Sequence, residues 1–174
     1  MIFIAVSGKL SEEKILVETG GKEIFDNGWY GNLEAEKLEL DLIEAASLLE
    51  RGRLDIEKSG GGKFKFSEFF NFCGARDPRF IARWFIYKDL RERGLPVRMG
   101  FKGCDFRVYD RGAKPENAPA VKWIVFASAE DYPCELAQLE KAMKLAQNIR
   151  AVALWAVVDN DTDCTFYIIN EVKP

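Results

Sequence analysis

With 174 residues, the chain is long enough to bury a core as one large domain or two small ones. Apolar residues make up 48% of the sequence and charged residues 30%, a balance that excludes a disordered tail protein. No apolar run reaches the roughly 18 residues that a membrane-spanning helix needs, so no membrane partner is expected.

The beginning of the chain, MIFIAVSGKL, has neither the basic region nor the long apolar region of a signal peptide, and a cytoplasmic protein is expected. The sequence has no histidine, and Cys73, Cys104, Cys134 and Cys164 include no pair separated by two residues. A zinc site is therefore not expected, and no metal or other cofactor is predicted. We expect the cysteines to act as small buried hydrophobic residues, with a disulfide as the open alternative.

Residues 1–76 alternate short strand and helix patterns. MIFIAVSGKL and KILVET are β-rich apolar runs that predict strands, whereas IFDNGWYGN is typical of turns. Apolar residues at helical spacing predict a helix over residues 39–51, which Gly52 would end. LDIEKSGGGKFKF predicts a strand, a glycine-rich tip and an aromatic return, and Ser67 is expected to cap a short helix. This order predicts an α+β domain.

Residues 77–174 follow a second pattern of one helix, three strands, another helix and two strands. The clearest helix is DPRFIARWFIYKDLRERG, with Asp77 as its N-cap, arginines in its last turn and Gly94 as its end. LPVRMGF, DFRVYD and VKWIVFAS predict the three strands, Pro133 opens the second helix, and AVALWAVVD and CTFYIINEV predict the last two strands. We expect a mixed sheet flanked by helices.

The net charge of −3 does not indicate a nucleic-acid binder, but the charges are unevenly distributed. Residues 77–111 hold nine Lys or Arg and five Asp or Glu, whereas Asp159, Asp161 and Asp163 lie within five residues of one another. Two surfaces with different partners would explain this division, and so would the ordinary solvated faces of helices and strands. The basic segment fits either RNA phosphates or acidic groups of a partner protein.

Several stretches of the chain resemble the archaeal tRNA-intron splicing endonucleases. They are WYGN, LDLIEAASLLERGRLDI, DPRFIARWFIYKDLRERGLPVRMGFKGCDFRVYDRG, VKWIVF and AVVDNDTDCTFYII, of which the third is the most specific. The resemblance implies an N-terminal α+β domain over residues 1–76, a C-terminal nuclease-like α/β domain over residues 77–174, and a tetrameric enzyme or its two-chain equivalent.

The resemblance also implies a site that works without metal. Members of the family are thought to use a Tyr, a His and a Lys, which together deprotonate the 2′-OH, protonate the leaving 5′-oxygen and offset charge in the transition state. The Tyr corresponds to Tyr109, but Ala120 stands at the His position and Ala151 at the Lys position. Alanine carries neither a proton nor a charge, so Tyr109 is expected to be a remnant and the isolated chain to be inactive.

The resemblance therefore implies a structural subunit that pairs with a homologous catalytic subunit, first as a heterodimer and then as a heterotetramer. Together they would excise introns from precursor tRNA and leave 2′,3′-cyclic phosphate and 5′-OH ends. A stand-alone RNA-binding or scaffold protein is the alternative. A third possibility is a rewired nuclease in which Asp105 and Asp110 hold a metal ion.

Two surfaces are expected to make subunit contacts. By resemblance, the acidic turn over residues 159–163 would insert into a basic cleft of a neighbouring subunit. The last predicted strand would expose an edge, and exposed edges invite pairing with another chain. With the VKWIVF strand, it is expected to build an apolar contact with the catalytic subunit. The residues predicted at these contacts are Asp159, Asp161, Asp163, Phe166, Tyr167, Ile168 and Ile169.

Overall fold

The computed structural model describes residues 5–117 and 119–174, and the chain divides into two compact units, Met1–Phe80 and Ile81–Pro174. The start of the predicted first strand, residues 1–4, lies outside the described residues. Within the described ranges, no helix is both long enough and apolar enough to cross a membrane.

Over its described residues, the first unit is a five-stranded sheet with three helices, as expected for an α+β domain. Its elements are β1 (Val6–Ser11), β2 (Lys14–Val17), α1 (Gly21–Gly28), β3 (Asn32–Glu34), β4 (Lys37–Asp41), α2 (Leu42–Glu50), β5 (Leu54–Glu57) and α3 (Phe66–Arg76). The strand order is β3-β4-β2-β1-β5, with β1 and β5 parallel and the other neighbours antiparallel. Alternate residues of these strands form the core because successive side chains of a strand point to opposite faces.

Three local predictions for this unit need correction. The stretch IFDNGWYGN, predicted as turns, begins inside α1, because the helix starts directly after Gly20, whose φ of 80° only glycine adopts easily. The predicted helix at 39–51 starts later, since Asp41 caps it by accepting the N–H of Ile43 at 3.0 Å. Ser67 is not a cap: α3 already begins at Phe66.

The WYGN stretch is anchored by a buried carboxylate. Glu44 is only 2% exposed, and its Oε1 accepts the N–H of Gly31 at 2.9 Å while its Oε2 accepts the N–H of Asp41 at 3.1 Å. Gly31 has a φ of 67°, and a Cβ there would lie 2.4 Å from the carbonyl oxygen of Glu39. Glycine is therefore required at this position, and Glu44 ties the loop before β3 to the first turn of α2.

Replacing Glu44 by alanine is expected to lower the free energy of unfolding by about 2–4 kcal/mol, because two N–H groups lose their buried acceptor. Glu44→Gln, which keeps one acceptor oxygen, should cost less. Urea unfolding followed by circular dichroism measures the difference. Glu23→Ala, at an exposed position of α1, is the control, and equal effects of the Glu44 and Glu23 substitutions would contradict the anchoring role.

The second unit has the expected order of helix, three strands, helix and two strands. Its elements are α4 (Phe80–Glu92), β6 (Val97–Met99), β7 (Phe106–Val108), a 3-10 turn (Pro115–Asn117), β8 (Trp123–Ala129), α5 (Leu136–Asn148), β9 (Val152–Val158) and β10 (Cys164–Ile169). The sheet order is β10-β9-β8-β7-β6, with β8 and β9 parallel and the other neighbours antiparallel. The prediction of a mixed sheet with helices is confirmed.

The two faces of this sheet carry different cores. On one face, Tyr87 of α4 packs against Phe106 of β7 with ring centroids 5.6 Å apart. On the other, small residues of α5 allow the helix to approach the sheet closely, so that Ala142 and Ala146 pack against Ile124 and Ala153. Burying apolar surface on both faces of β8 and β9 explains their long apolar runs.

Arg91 corrects the sequence interpretation of the YKDLRERG stretch. The pattern predicted a cation that interacts with the helix end, but the residue is buried. Its Nε donates to the hydroxyl of Tyr87 at 3.0 Å and its Nη2 donates to the carbonyl of Val97 at 2.6 Å. Arg91 therefore joins α4 to the edge strand β6. Asp77 behaves as predicted, because its Oδ1 accepts the N–H of Arg79 at 2.8 Å just before α4.

Candidate functional site

Three strand ends meet at one end of the second sheet. The carbonyl of Val108 accepts the N–H of Lys122 at 2.9 Å, and the carbonyl of Lys122 accepts the N–H of Val152 at 3.1 Å. Because β8 and β9 are parallel and β7 is antiparallel to β8, the end of β7 lies beside the starts of the other two strands. Tyr109 follows β7, Ala120 lies two residues before Lys122, and Ala151 precedes β9, so the fold gathers all three predicted positions at this end.

The side chains at these positions differ in exposure. Tyr109 is 5% exposed, and its N–H donates to the carbonyl of Pro96 at 3.0 Å. Ala120 is exposed, whereas Ala151 is half-buried against the cluster formed by α5, β8 and β9. The arrangement brings together one buried phenol and two methyl groups. Neither methyl group can transfer a proton or stabilise charge.

A cation does lie at this end, although sequence reasoning did not single it out. Lys122 forms an ion pair with Asp110 and lies over the Trp123 ring, 4.7 Å from its centroid. The sequence signal for this cation was the pairing of a charged and an aromatic residue in both VYD and VKW. The Asp110 carboxylate offsets the charge of Lys122, so the ammonium group of Lys122 is already neutralised by an acidic residue of the same chain.

The metal alternative is not supported by the geometry of the two aspartates. Asp105 is buried, with Oδ1 3.0 Å from Arg83 Nε, and its Oδ2 accepts the N–H of Ala127 at 2.8 Å. Asp110 lies on the exposed surface in its pair with Lys122. Both carboxylates are thus used in ion pairs. In the described part of the chain, no three His, Cys, Asp or Glu side chains come together as a metal site would require.

The acidic turn between β9 and β10 is shaped by its first aspartate. Asp159 Oδ1 accepts the N–H groups of Asp161 and Asp163, both at 2.9 Å, and the N–H of Thr162 donates to the carbonyl of Asp159 at 3.1 Å. The side chains of Asp161 and Asp163 are exposed. Glu130 adds a fourth carboxylate beside the turn through its bonds to Asn160. Asp159 thus maintains the turn, while Asp161 and Asp163 face solvent.

Strand β10 is an edge strand with exposed apolar residues on both faces. Ile168 is 67% exposed and Tyr167 is 53% exposed. The other two predicted contact residues are half-buried: Phe166 lies under the guanidinium of Arg93 and Ile169 packs against the α5 cluster. The VKWIVF strand, by contrast, is the middle strand β8 and has no free edge. Contacts of this stretch with another chain would involve the exposed side chain of Lys122 and the half-exposed side chains of Val121, Trp123 and Phe126.

The cysteines are free, and their environments differ. Burial, with a further contribution from Asp41, raises the pKa of Cys73 to about 12. Burial raises the pKa of Cys164 to about 11, and the nearby negative charge of Asp89 contributes to the increase. Burial also raises the pKa of Cys104. Cys73 is buried, Cys104 and Cys164 are half-buried, and Cys134 is exposed, which corrects the expectation that all four are buried.

Comparison with known proteins finds matching domain families in both halves of the chain. The model of the tRNA intron endonuclease N-terminal domain matches residues 6–70, and that of the catalytic C-terminal domain matches residues 80–166. The chain belongs to the tRNA intron endonuclease family. The site described above therefore lies within the part that corresponds to the catalytic domain of tRNA intron endonucleases.

Three relatives illustrate how tRNA intron endonucleases differ in length. The tRNA-splicing endonuclease of Methanococcoides burtonii is 37% identical over 166 residues, which are 95% of this chain and 46% of that protein. The tRNA-splicing endonuclease of Thermococcus kodakarensis is 34% identical over 86% of this chain and 87% of its own length. That of Methanothermobacter thermautotrophicus is 29% identical over 97% of this chain and 99% of its own length. The chain thus spans less than half of some relatives and nearly all of others.

Proposed function

We propose that this chain is a structural subunit of a cytoplasmic tRNA-splicing endonuclease. It pairs with a homologous subunit that holds the catalytic residues, and the pair excises introns from precursor tRNA. The observation that carries the proposal is the pair of alanines, Ala120 and Ala151, at the end of the sheet where Tyr109 also lies. The fold of a catalytic domain is present there, but two of the three groups that the chemistry needs are not.

The chemistry of RNA cleavage explains why replacing two of the three catalytic groups by alanine would inactivate the site. Cleavage beside a 2′-OH needs a base for that hydroxyl, an acid for the departing 5′-oxygen and a cation for the charge on the phosphorus centre. A phenol alone supplies one group, and in this chain it is buried. Since the sequence has no histidine, no other residue of that type can replace the missing acid.

The lengths of the relatives are consistent with an enzyme unit built from two parts, one structural and one catalytic. The Methanococcoides burtonii protein is roughly twice as long as the region that this chain matches, since that region is 46% of it. A polypeptide of that length has room for two parts of this size. In the proposed enzyme the two parts are separate chains, which form a heterodimer and then a heterotetramer.

The proposal is tested by expressing the chain with a histidine-containing member of the family and separating the products by size exclusion. Each fraction is then assayed for cleavage of precursor tRNA without added metal. Cleavage should coincide with the fraction that holds both chains. Cleavage by the fraction that holds only this chain would contradict the proposal. A stand-alone RNA-binding scaffold, the second candidate, predicts RNA binding with no such partner.

The acidic turn is proposed to dock onto a basic surface of a neighbouring subunit and so to join two heterodimers. Asp161→Asn with Asp163→Asn should split the tetramer into heterodimers, more readily as salt rises, because a docked charge pair costs about 2–5 kcal/mol when one partner is removed. Light scattering at two salt concentrations measures the change. Glu171→Gln with Glu140→Gln removes two exposed charges elsewhere and serves as the control. A double Asn variant that stays tetrameric at high salt would show that the segment is only a turn.

A further inference from the structure

Helix α5 ends in a hydrogen-bond pattern that normally favours glycine. The N–H of Arg150 donates to the carbonyl of Gln147 at 3.1 Å, and the N–H of Ala151 donates to the carbonyl of Ala146 at 2.9 Å. These two bonds form a Schellman motif, in which the residue after the C-cap adopts a left-handed backbone conformation. Arg150 is that residue, with a φ of 56°. Any side chain is strained in this conformation, so glycine is the usual residue.

Two other helices of the chain end in the same motif and do use glycine. The same pair of bonds closes α2 and α4, where the corresponding residues are Gly52, with a φ of 65°, and Gly94, with a φ of 78°. The need to end a helix therefore does not explain an arginine at position 150. A residue type that the local backbone disfavours points to a function of its side chain.

The side chain of Arg150 has no structural task within the described part of the chain. It is exposed, and among the described residues it makes no hydrogen bond, ion pair or ring contact. An arginine near a helix end commonly donates to the last carbonyl groups. Arg111 shows this arrangement at the end of α4, where its Nε donates to the carbonyl of Arg93 at 3.0 Å. Arg150 makes no such bond, so its guanidinium group is available to a ligand.

The position of Arg150 places this cation at the candidate site. Arg150 directly precedes Ala151, which stands where the catalytic lysine is expected. Two residues further on, the N–H of Val152 donates to the carbonyl of Lys122 at 3.1 Å, which joins this segment to the start of β8. The charge of Lys122 is offset by Asp110, whereas that of Arg150 is not offset by an ion pair with a described residue.

We propose that Arg150 binds a phosphate group of the RNA backbone at the end of the sheet where Tyr109, Ala120 and Ala151 lie. A planar guanidinium group donates two parallel hydrogen bonds to a phosphate and stays charged at physiological pH. The site then holds RNA without cutting it, because the sequence has no histidine to act as the acid. This deepens the proposed function, on which it rests, since it gives the structural subunit a part in substrate binding as well as in assembly.

The test compares Arg150→Gly with the unchanged chain in two measurements. Glycine relieves the backbone strain, so the melting temperature followed by circular dichroism should rise by about 2–4 °C. The same substitution removes the guanidinium group, so binding of labelled precursor tRNA to the full-length chain and to the assembled enzyme should weaken about tenfold. The slope of log K against log salt should also fall in magnitude by about one, because one phosphate contact is lost. A purely structural arginine would not give a more stable protein that binds RNA less tightly.

Two further variants serve as controls. Arg51→Gln removes an exposed arginine at the end of α2 and should change neither the affinity nor the salt slope. Arg150→Lys keeps the charge and should retain the salt slope, with weaker binding only from the loss of the second hydrogen bond.

Modified RNA identifies the group that Arg150 contacts. A single methylphosphonate that weakens binding to the unchanged chain should have no further effect on Arg150→Gln. RNA affinity and salt slope unchanged in Arg150→Gly would overturn the proposal, and so would failure of both the chain and the assembled enzyme to bind RNA. Loss of the protein partner with RNA affinity intact would overturn it as well, since Arg150 would then contact a carboxylate of another subunit. Because binding is measured without cleavage, cleavage by the isolated chain would contradict the subunit assignment alone.

Discussion

The purified chain is expected to leave precursor tRNA uncut, with or without magnesium, while a mixture with its catalytic homologue cuts it and loses that activity when this chain is omitted. The physical reason lies at the sheet end described above. Ala120 and Ala151 supply neither the acid nor the cation, and each such group contributes about 10²–10⁴-fold or more to a cleavage rate. Single-turnover cleavage of a labelled transcript measures the result.

The matched control for this prediction compares Tyr→Phe in this chain with Tyr→Phe at the corresponding position of the catalytic subunit. Tyr109→Phe in this chain should leave the rate of the assembled enzyme within about twofold, because the family's acid and cation are replaced here by Ala120 and Ala151. Tyr→Phe at the corresponding position of the catalytic subunit should slow cleavage about 100-fold. Equal slowing by the two substitutions would show that the strand ends of this chain still take part in the chemistry.

Loss of residues 166–174 is expected to abolish the heterodimer. The deletion removes most of β10, and with it the free backbone edge and the exposed side chains of Tyr167 and Ile168. An apolar edge of this kind is a surface on which another chain can pair. Co-elution of the truncated chain with its partner at micromolar concentration would contradict the contact.

A point substitution separates loss of the contact from loss of folding. Ile168→Lys places a charge on a side chain that is 67% exposed in this chain, so the isolated subunit should fold normally. At a contact centre such a change weakens association by at least about 30-fold, since hot-spot substitutions cost 2 kcal/mol or more. Val172→Lys, at a position 81% exposed beyond the strand, is the control and should not change affinity. Analytical ultracentrifugation of each variant with the partner measures the dissociation constants.

Much of the secondary structure and of the candidate site could be predicted from the sequence, because the signals for them lie in short stretches of the chain. Hydrophobic periodicity located α4, α5 and the strands of the second sheet, since a residue's neighbours in a helix or strand are set by its spacing. The absence of histidine and the alanines at 120 and 151 are also sequence facts, and they carry the proposed function. The family assignment depended on the order of residues in motifs such as DFRVYDRG, which no physical property of a single residue would reveal.

Other features depended on contacts between residues distant in the chain. Helix α1 was missed because Gly20, Gly21 and the Asn-Gly pair are turn signals, whereas in the fold Gly21 lies close against Leu38 of β4 and Ile24 is buried. In the sequence, Glu44 looks like an ordinary helix residue. In the fold it is buried and accepts the N–H of Gly31, so that it anchors the loop before β3.

The distribution of charge was also decided by the tertiary structure. Sequence counting found an excess of cations over residues 77–111 but could not tell which carboxylate pairs with which cation. Folding buries Arg91 and pairs Arg83 with Asp105. Folding likewise makes Asp159 the acceptor that maintains the acidic turn and leaves Asp161 and Asp163 exposed. A charge's role depends on its neighbours in space, because Coulomb interactions between groups fall with distance and with solvent screening, whatever their separation in sequence.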